Sequence, residues 1–186
     1  MTPGARRVAL VTHVACSVGW LGAVVASLAL AGASLTNSDG EVARSASVVQ
    51  ELIGWHVLIP LSVASLLTGL LQSLGTVWGL FRHYWVLIKL LMNVIATGVL
   101  LLYMRTLTYL ADLARTTAPD GDLDRLRDPS PVVHGAAAVV LLLVATTLSV
   151  YKPRGLTSHG RRMQRRQPPA TPLIASTTTA SPSKAG

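Results

Sequence analysis

Four long apolar runs, separated by short polar stretches, make up most of the chain. They cover residues 8–35, 48–74, 84–109 and 132–151. Each reaches the roughly 20 residues that a bilayer's hydrocarbon core demands of a helix. None alternates with the period of two expected of a half-buried strand, and each is apolar around its whole circumference. The pattern predicts an all-α, polytopic membrane protein, an antiparallel bundle of four transmembrane helices spanning 8–151. The middle pair sets the architecture. Residues 75–83 are too few for anything but a tight re-entry, so the arms on either side must run antiparallel.

Polar and small residues interrupt the runs at informative places. Pro60 lies inside the second run, where its missing N–H and its ring should displace the carbonyl of His56 and kink the helix. Ala15, Gly19, Gly22, Ala23 and Ala26 recur at three- and four-residue spacing in the first, the pattern that lets helix backbones approach closely in lipid. That run is longer than the 7–15 apolar residues of a cleaved signal peptide, so a retained first span is expected.

Residues 36–50 read as a polar connector, with Asn37, Ser38, Asp39 and Gly40 as turn chemistry. Residues 111–131 read as the longest loop, with a short surface helix over 123–127. Its aspartates have a calcium-loop flavour but lack the EF-hand order and the closing glutamate. Residues 1–7 form a short basic N-terminus. Residues 152–186, basic and then rich in Pro, Ser and Thr, hold too few large apolar residues to build a core and are expected to be disordered.

Composition sharpens the class. Of 186 residues, 51% are hydrophobic and 13% charged, about half the charge of a soluble domain, which carries roughly 25%. The net charge of +8 does not point to nucleic acid, because the basic residues follow the membrane pattern. Arg6, Arg7, Arg82 and the tail's Lys152, Arg154, Arg161, Arg162, Arg165, Arg166 and Lys184 share one side; Arg44, Arg115, Arg125 and Arg127 take the other. The excess predicts a plasma-membrane protein with both termini cytoplasmic. The lone cysteine, Cys16, excludes an intrachain disulfide and reads as a small apolar packing residue.

Ionisable groups inside spans are the candidates for chemistry. By depth, His56 and His134 share the outer level, and His13 and His83 the inner one. Histidines on opposed helices of a bundle are the arrangement that holds haem between two imidazoles, or a metal such as copper. The candidate cofactor-binding residues are therefore His56, His134, His13 and Lys89, with His56 and His134 as the candidate metal pair and haem b or copper as the cofactor. The competing reading is a pair of interfacial histidines that only satisfy backbone. Lys89 shares a helix face with Trp85 and Asn93. It either snorkels to the headgroups or meets an anion, such as a propionate, inside the bundle. Gln72 and Asn93 read as interhelical hydrogen-bonders. Arg105 either snorkels outward or pairs with Glu51 or Asp112. No nucleophile with a base at defined spacing, no phosphate-cradling glycine loop and no intramembrane acid pair is present.

HVACSVGWLGAVVASLALA in the first span and LTGLLQSLGTVWGLFRHYWVLIKLLMN across the second and third resemble actinobacterial four-span integral membrane proteins with a domain of unknown function, as does a fourth span with an early histidine. That group lies near the copper-resistance D family. More distantly, a histidine followed by W-x-G, and W-x-x-x-K opening the third span, are similar to the haem-containing membrane protoporphyrinogen oxidases. That resemblance implies roles for His13, Trp20 and Lys89. Three functions stay open: haem or copper handling, a non-catalytic scaffold or complex subunit, and a small-solute transporter. The partners expected are the lipid bilayer and other membrane subunits or further copies of the chain.

Overall fold

The computed structural model describes residues 2–75, 84–116 and 126–151, and every regular element among them is a helix. Helix α1 spans Pro3–Thr36, α2 spans Gly40–Ile53, a π-helical turn covers Gly54–Leu58, and α3 continues over Ile59–Gly75. Helix α4 is Tyr84–Thr116 and α5 is Ser130–Tyr151. Four rods, with α2 through α3 counted as one, are long and apolar enough to cross a membrane. At 1.5 Å per residue α1 and α4 are each about 50 Å long, so they outreach a hydrocarbon core of about 30 Å.

The rods run in sequence order around the bundle. Helices α1 and α4 each pack against the α2–α3 rod and against α5, while among the described residues the backbones of α1 and α4, and of α3 and α5, make no close approach. The first and third spans are therefore diagonal, as are the second and fourth. Side-chain bonds show the antiparallel sense. Gln72 near the end of α3 reaches Ala9 near the start of α1, and Lys89 near the start of α4 reaches Ser149 near the end of α5. At the opposite end Arg115 of α4 meets Glu51 of α2, and Tyr103 of α4 meets Ser130 of α5. We call the end where α1 and α4 begin proximal and the other distal.

The buried centre is Trp20, Val24, Leu58 and Leu142, drawn from α1, the π-turn and α5, with Ala96 and Leu100 of α4 packed against it. The outward faces carry Val8, Val11, Leu67, Leu91, Leu102 and Val133, all exposed. In water so continuous an apolar surface would drive association; in lipid it is the normal exterior of a span.

Two expectations are corrected, the polar connector and the small-residue stripe, and those for Pro60 and Arg105 are given their form. The connector 36–50 is mostly helix: only Asn37–Asp39 turns, and Asp39 caps α2 by accepting the Glu41 N–H at 2.9 Å. Helix α2 buries Ala43, Ala46, Ser47 and Gln50, a 3–4 spacing on one face, and the small residues among them let α1 and α4 close in. Just before Pro60 the helix takes a wide turn. Over Gly54–Leu58 the helix opens, and the Ile59 N–H bonds the Gly54 carbonyl five residues back. The small-residue stripe of α1 is only partly used. Gly19 faces Leu61 and Ala23 packs on the core, but Ala15, Gly22 and Ala26 are exposed. Close approach occurs instead at Gly54, where a Cβ would sit 2.6 Å from the Met104 sulfur. Finally, Glu51 and Asp112 are taken by Arg115, at 2.6 and 3.0 Å, while Arg105 is exposed.

The 76–83 re-entry with Arg82 and His83, residues 117–125 of the long loop and the 152–186 tail lie outside the described residues. The helix expected at 123–127 falls partly there too; its described remainder, Leu126 and Arg127, is non-helical. Arg127 donates to the carbonyls of Asn37 and Ser38, which ties this segment to the α1–α2 turn.

Candidate functional site

The proximal half of the bundle holds a cleft of about 410 Å³ between α1, α3, α4 and the end of α5. Its polar lining is Arg6, His13, Gln72, Ser73, Lys89, Asn93 and Ser149, set among Leu10, Val14, Leu66 and Leu90. Helical spacing puts them there. Arg6, Leu10, His13 and Val14 are one stripe of α1, and Lys89 and Asn93 are one turn apart on α4.

His13 is the buried histidine, 8% exposed. Its Nδ1 lies 3.1 Å from both the Ser65 carbonyl and the Thr68 hydroxyl. A carbonyl only accepts, and the Thr68 hydroxyl already donates to the Ala64 carbonyl. Nδ1 therefore carries the proton, and Nε2 is left as the lone-pair nitrogen of the neutral ring. Gly69 makes room for the imidazole, since a Cβ there would come within 3.1 Å of His13 Cε1. One turn along α1, Ser17 and Ser65 hydrogen-bond at 2.8 Å. Gln72 donates to the Ala9 carbonyl at 3.0 Å. This polar seam between α1 and α3 fixes their register.

Lys89 points into the bundle rather than along the lipid face. Its Nζ donates to Ser149 Oγ at 2.6 Å, and the Ser149 hydroxyl in turn donates a hydrogen bond to the Ala145 carbonyl. The partner is a neutral hydroxyl. The chain's eight Asp and Glu residues all lie within 39–51 and 112–128. Among the described residues no acidic side chain lines the cleft. Lys89, half-buried, thus has no counter-charge among the described lining residues, in a setting where ionic attraction is less damped than in water, while Arg6 is exposed.

The distal half holds a second, mainly apolar cavity of about 240 Å³, which Trp20, Gln50, Tyr103 and His134 also line. His134 gives its Nδ1 proton to the Ser130 carbonyl at 2.9 Å and stacks on Tyr103 with centroids 4.0 Å apart. His56 is exposed, lines neither cavity, and turns its Nδ1 back to the Leu52 carbonyl of its own helix at 3.1 Å. The structure therefore brings His13 and Lys89 into one cleft and leaves His56 and His134 apart, each on backbone of its own turn. Among the described residues no three His, Cys, Asp or Glu side chains gather as a metal set, so a copper site has no donor cluster there. Nor do His56 and His134 share a cavity into which haem could be slotted.

Sequence reasoning missed Arg6 and Ser149 as members of the site. Arg6 reads as a topology signal until α1 is seen to begin at Pro3 and carry it along the cleft wall. Ser149 has no signal of its own, because its role comes from the helix it faces. In comparisons with protein families, curated proteins and solved structures, nothing matches this chain.

Proposed function

We propose that this multi-pass membrane protein is a binding protein whose proximal cleft takes an anionic group against Lys89 and Arg6. One observation carries the reading: two cationic side chains line a half-buried cleft that no carboxylate of the described residues lines. A lysine held inward on a neutral hydroxyl costs desolvation that an incoming anion offsets. The apolar walls suit the hydrocarbon part of an amphiphile. The proposal includes residence in the plasma membrane with the proximal end cytoplasmic, on the sign and placement of the basic residues, and the relationship to actinobacterial four-span proteins that SLGTVWGLFRHYWVLIKL suggests.

A second reading rests on His13. Its Nε2 lone pair and the Lys89 ammonium belong to one cleft, so a haem with one axial imidazole and a propionate on Lys89 would use both. When bound, haem would supply redox or ligand-binding chemistry; His13 would hold its iron and Lys89 its carboxylate.

Native mass spectrometry of the solubilised protein, with an absorption spectrum of the same sample, tests both. The expected result is an anionic adduct that persists in His56→Ala and disappears in Lys89→Met. A Soret band lost in His13→Ala selects the haem reading. Protein that acquires no adduct from anionic lipid, phosphate or haem refutes the function.

A further inference from the structure

Two buried polar side chains of the proximal cleft have hydrogen-bonding capacity to spare. His13, 8% exposed, uses its Nδ1 on α3, and among the described residues no group meets its Nε2. Asn93, 7% exposed, makes no side-chain hydrogen bond among the described residues, so the interhelical bond expected of it is not formed. Buried polar groups ordinarily find a partner. Both side chains line the cleft, and neither the His13 Nε2 nor the Asn93 amide is sealed from it. They also lie deeper than the two cations. Asn93 is four residues beyond Lys89 on α4, about 6 Å inward, and His13 is seven residues beyond Arg6 on α1, about 10 Å inward. Lys89 is held level with Ser149, close to the proximal end of α5. Leu10 and Val14 line the same cleft and are exposed on α1, so the cleft opens sideways onto the lipid-facing surface.

Resting on the anion site proposed above, we infer that the cleft takes an anionic amphiphile with a hydroxyl a few carbons inward of its charge, the hydroxyl donating to His13 Nε2 and accepting from the Asn93 amide. The inventory of free atoms carries the class. Nε2 of the neutral ring only accepts, while the amide offers two N–H donors. A hydroxyl donates one hydrogen bond and accepts others, so a single group meets both side chains. Their depth places that group inward of an anion held at Lys89. The exposed Leu10 and Val14 give the hydrocarbon chain a way out to the bilayer. An amphiphile without the hydroxyl leaves both side chains unpaired. A 3-hydroxy fatty acid and a lysophosphatidate, with its free glycerol hydroxyl, share the required chemistry.

Native mass spectrometry of the solubilised full chain tests it, with tetradecanoate and 3-hydroxytetradecanoate offered together in equal amounts. Their adducts differ by the mass of one oxygen. The hydroxylated acid should occupy about tenfold more of the protein, the worth of one buried hydrogen bond. Its isomer 14-hydroxytetradecanoate, with the hydroxyl at the chain end, should show no such advantage over tetradecanoate. A lysophosphatidate offered with its 2-deoxy analogue repeats the comparison on a phosphate, and the pair with the larger ratio identifies the source. His13→Ala and Asn93→Leu should each narrow the ratio, while His56→Ala should leave it unchanged. Equal adducts within both pairs overturn the inference and leave the anion site standing; no adduct from any of these amphiphiles refutes both. An equal advantage for the chain-end isomer overturns the inference, as does a ratio unchanged in both His13→Ala and Asn93→Leu. A Soret band lost in His13→Ala overturns it too, because iron then takes Nε2. Should the variants not fold, the isomer comparison in the unmodified protein still decides.

Discussion

Replacing Lys89 with methionine separates a structural lysine from a binding one. If Lys89 faced a buried carboxylate, the change would strand that charge at about 3–5 kcal/mol. The structure gives it Ser149 instead, and Ser149 keeps its bond to the Ala145 carbonyl when the ammonium is gone. What is lost is one charged-donor hydrogen bond, of order 1.5–3 kcal/mol. What is regained is the desolvation of an ammonium held inside the bundle, several kcal/mol for a fully buried ion and less for this half-buried one. The two nearly cancel, so ligand-free Lys89→Met should melt within about 1 kcal/mol of the parent. Binding should respond differently. An anion present at a hundred times its Kd stabilises the parent by about 2.7 kcal/mol, and that increment should vanish in Lys89→Met and survive in part in Lys89→Arg, which keeps the charge on a bulkier fork. The assay is thermal melting in detergent, with and without an anionic amphiphile such as lauryl phosphate. A ligand-free loss of several kcal/mol would reveal a carboxylate partner for Lys89. An undiminished ligand increment would remove Lys89 from the site. Either result refutes the reasoning.

Gly54→Val should destabilise by about 1–3 kcal/mol through overpacking, because its Cβ falls on the Met104 sulfur and methyl group at 2.6 and 2.7 Å; thermal melts should show Met104→Ala recovering part of the loss in the double variant. Arg115→Ala should leave stability nearly unchanged, since its guanidinium is half-exposed and such pairs are weak; chemical denaturation of the two proteins measures it. With Cys16→Ala as background, Ser38→Cys in the α1–α2 turn should react with an impermeant maleimide on intact cells. Reaction only after the membrane is breached would reverse the proposed orientation.

The four spans and their order were legible because an apolar run of 20 or more residues fits a membrane helix and little else, and the short central re-entry left one sense of pairing. Helix ends were less so. Gly40 and the turn residues before it look like a loop, yet Asp39 caps a helix whose buried face is built from Ala43, Ala46 and Ser47, residues too small to register as an apolar stripe. Pro60 announced a local disturbance but not its form. A wider π-turn and a kink both relieve the clash, and Met104 packing on Gly54 favours a particular spacing only once α4 is in place. In the site, the face shared by Lys89 and Asn93 followed from helical period alone. The choice between lipid and interior did not, because it rests on where Ser149 of another helix stands. Histidine depth was readable, but azimuth was not, and azimuth separates buried His13 from exposed His56.

The central claim is an anion site at the proximal end between Lys89 and Arg6. Crystals grown in lipidic mesophase with bromide, measured at the bromine absorption edge, test it most directly. The predicted result is an anomalous peak in the proximal cleft within hydrogen-bonding reach of Lys89 Nζ, absent from crystals of Lys89→Met. A cleft without bromide, with the Lys89 side chain turned out to the headgroup level, would contradict it.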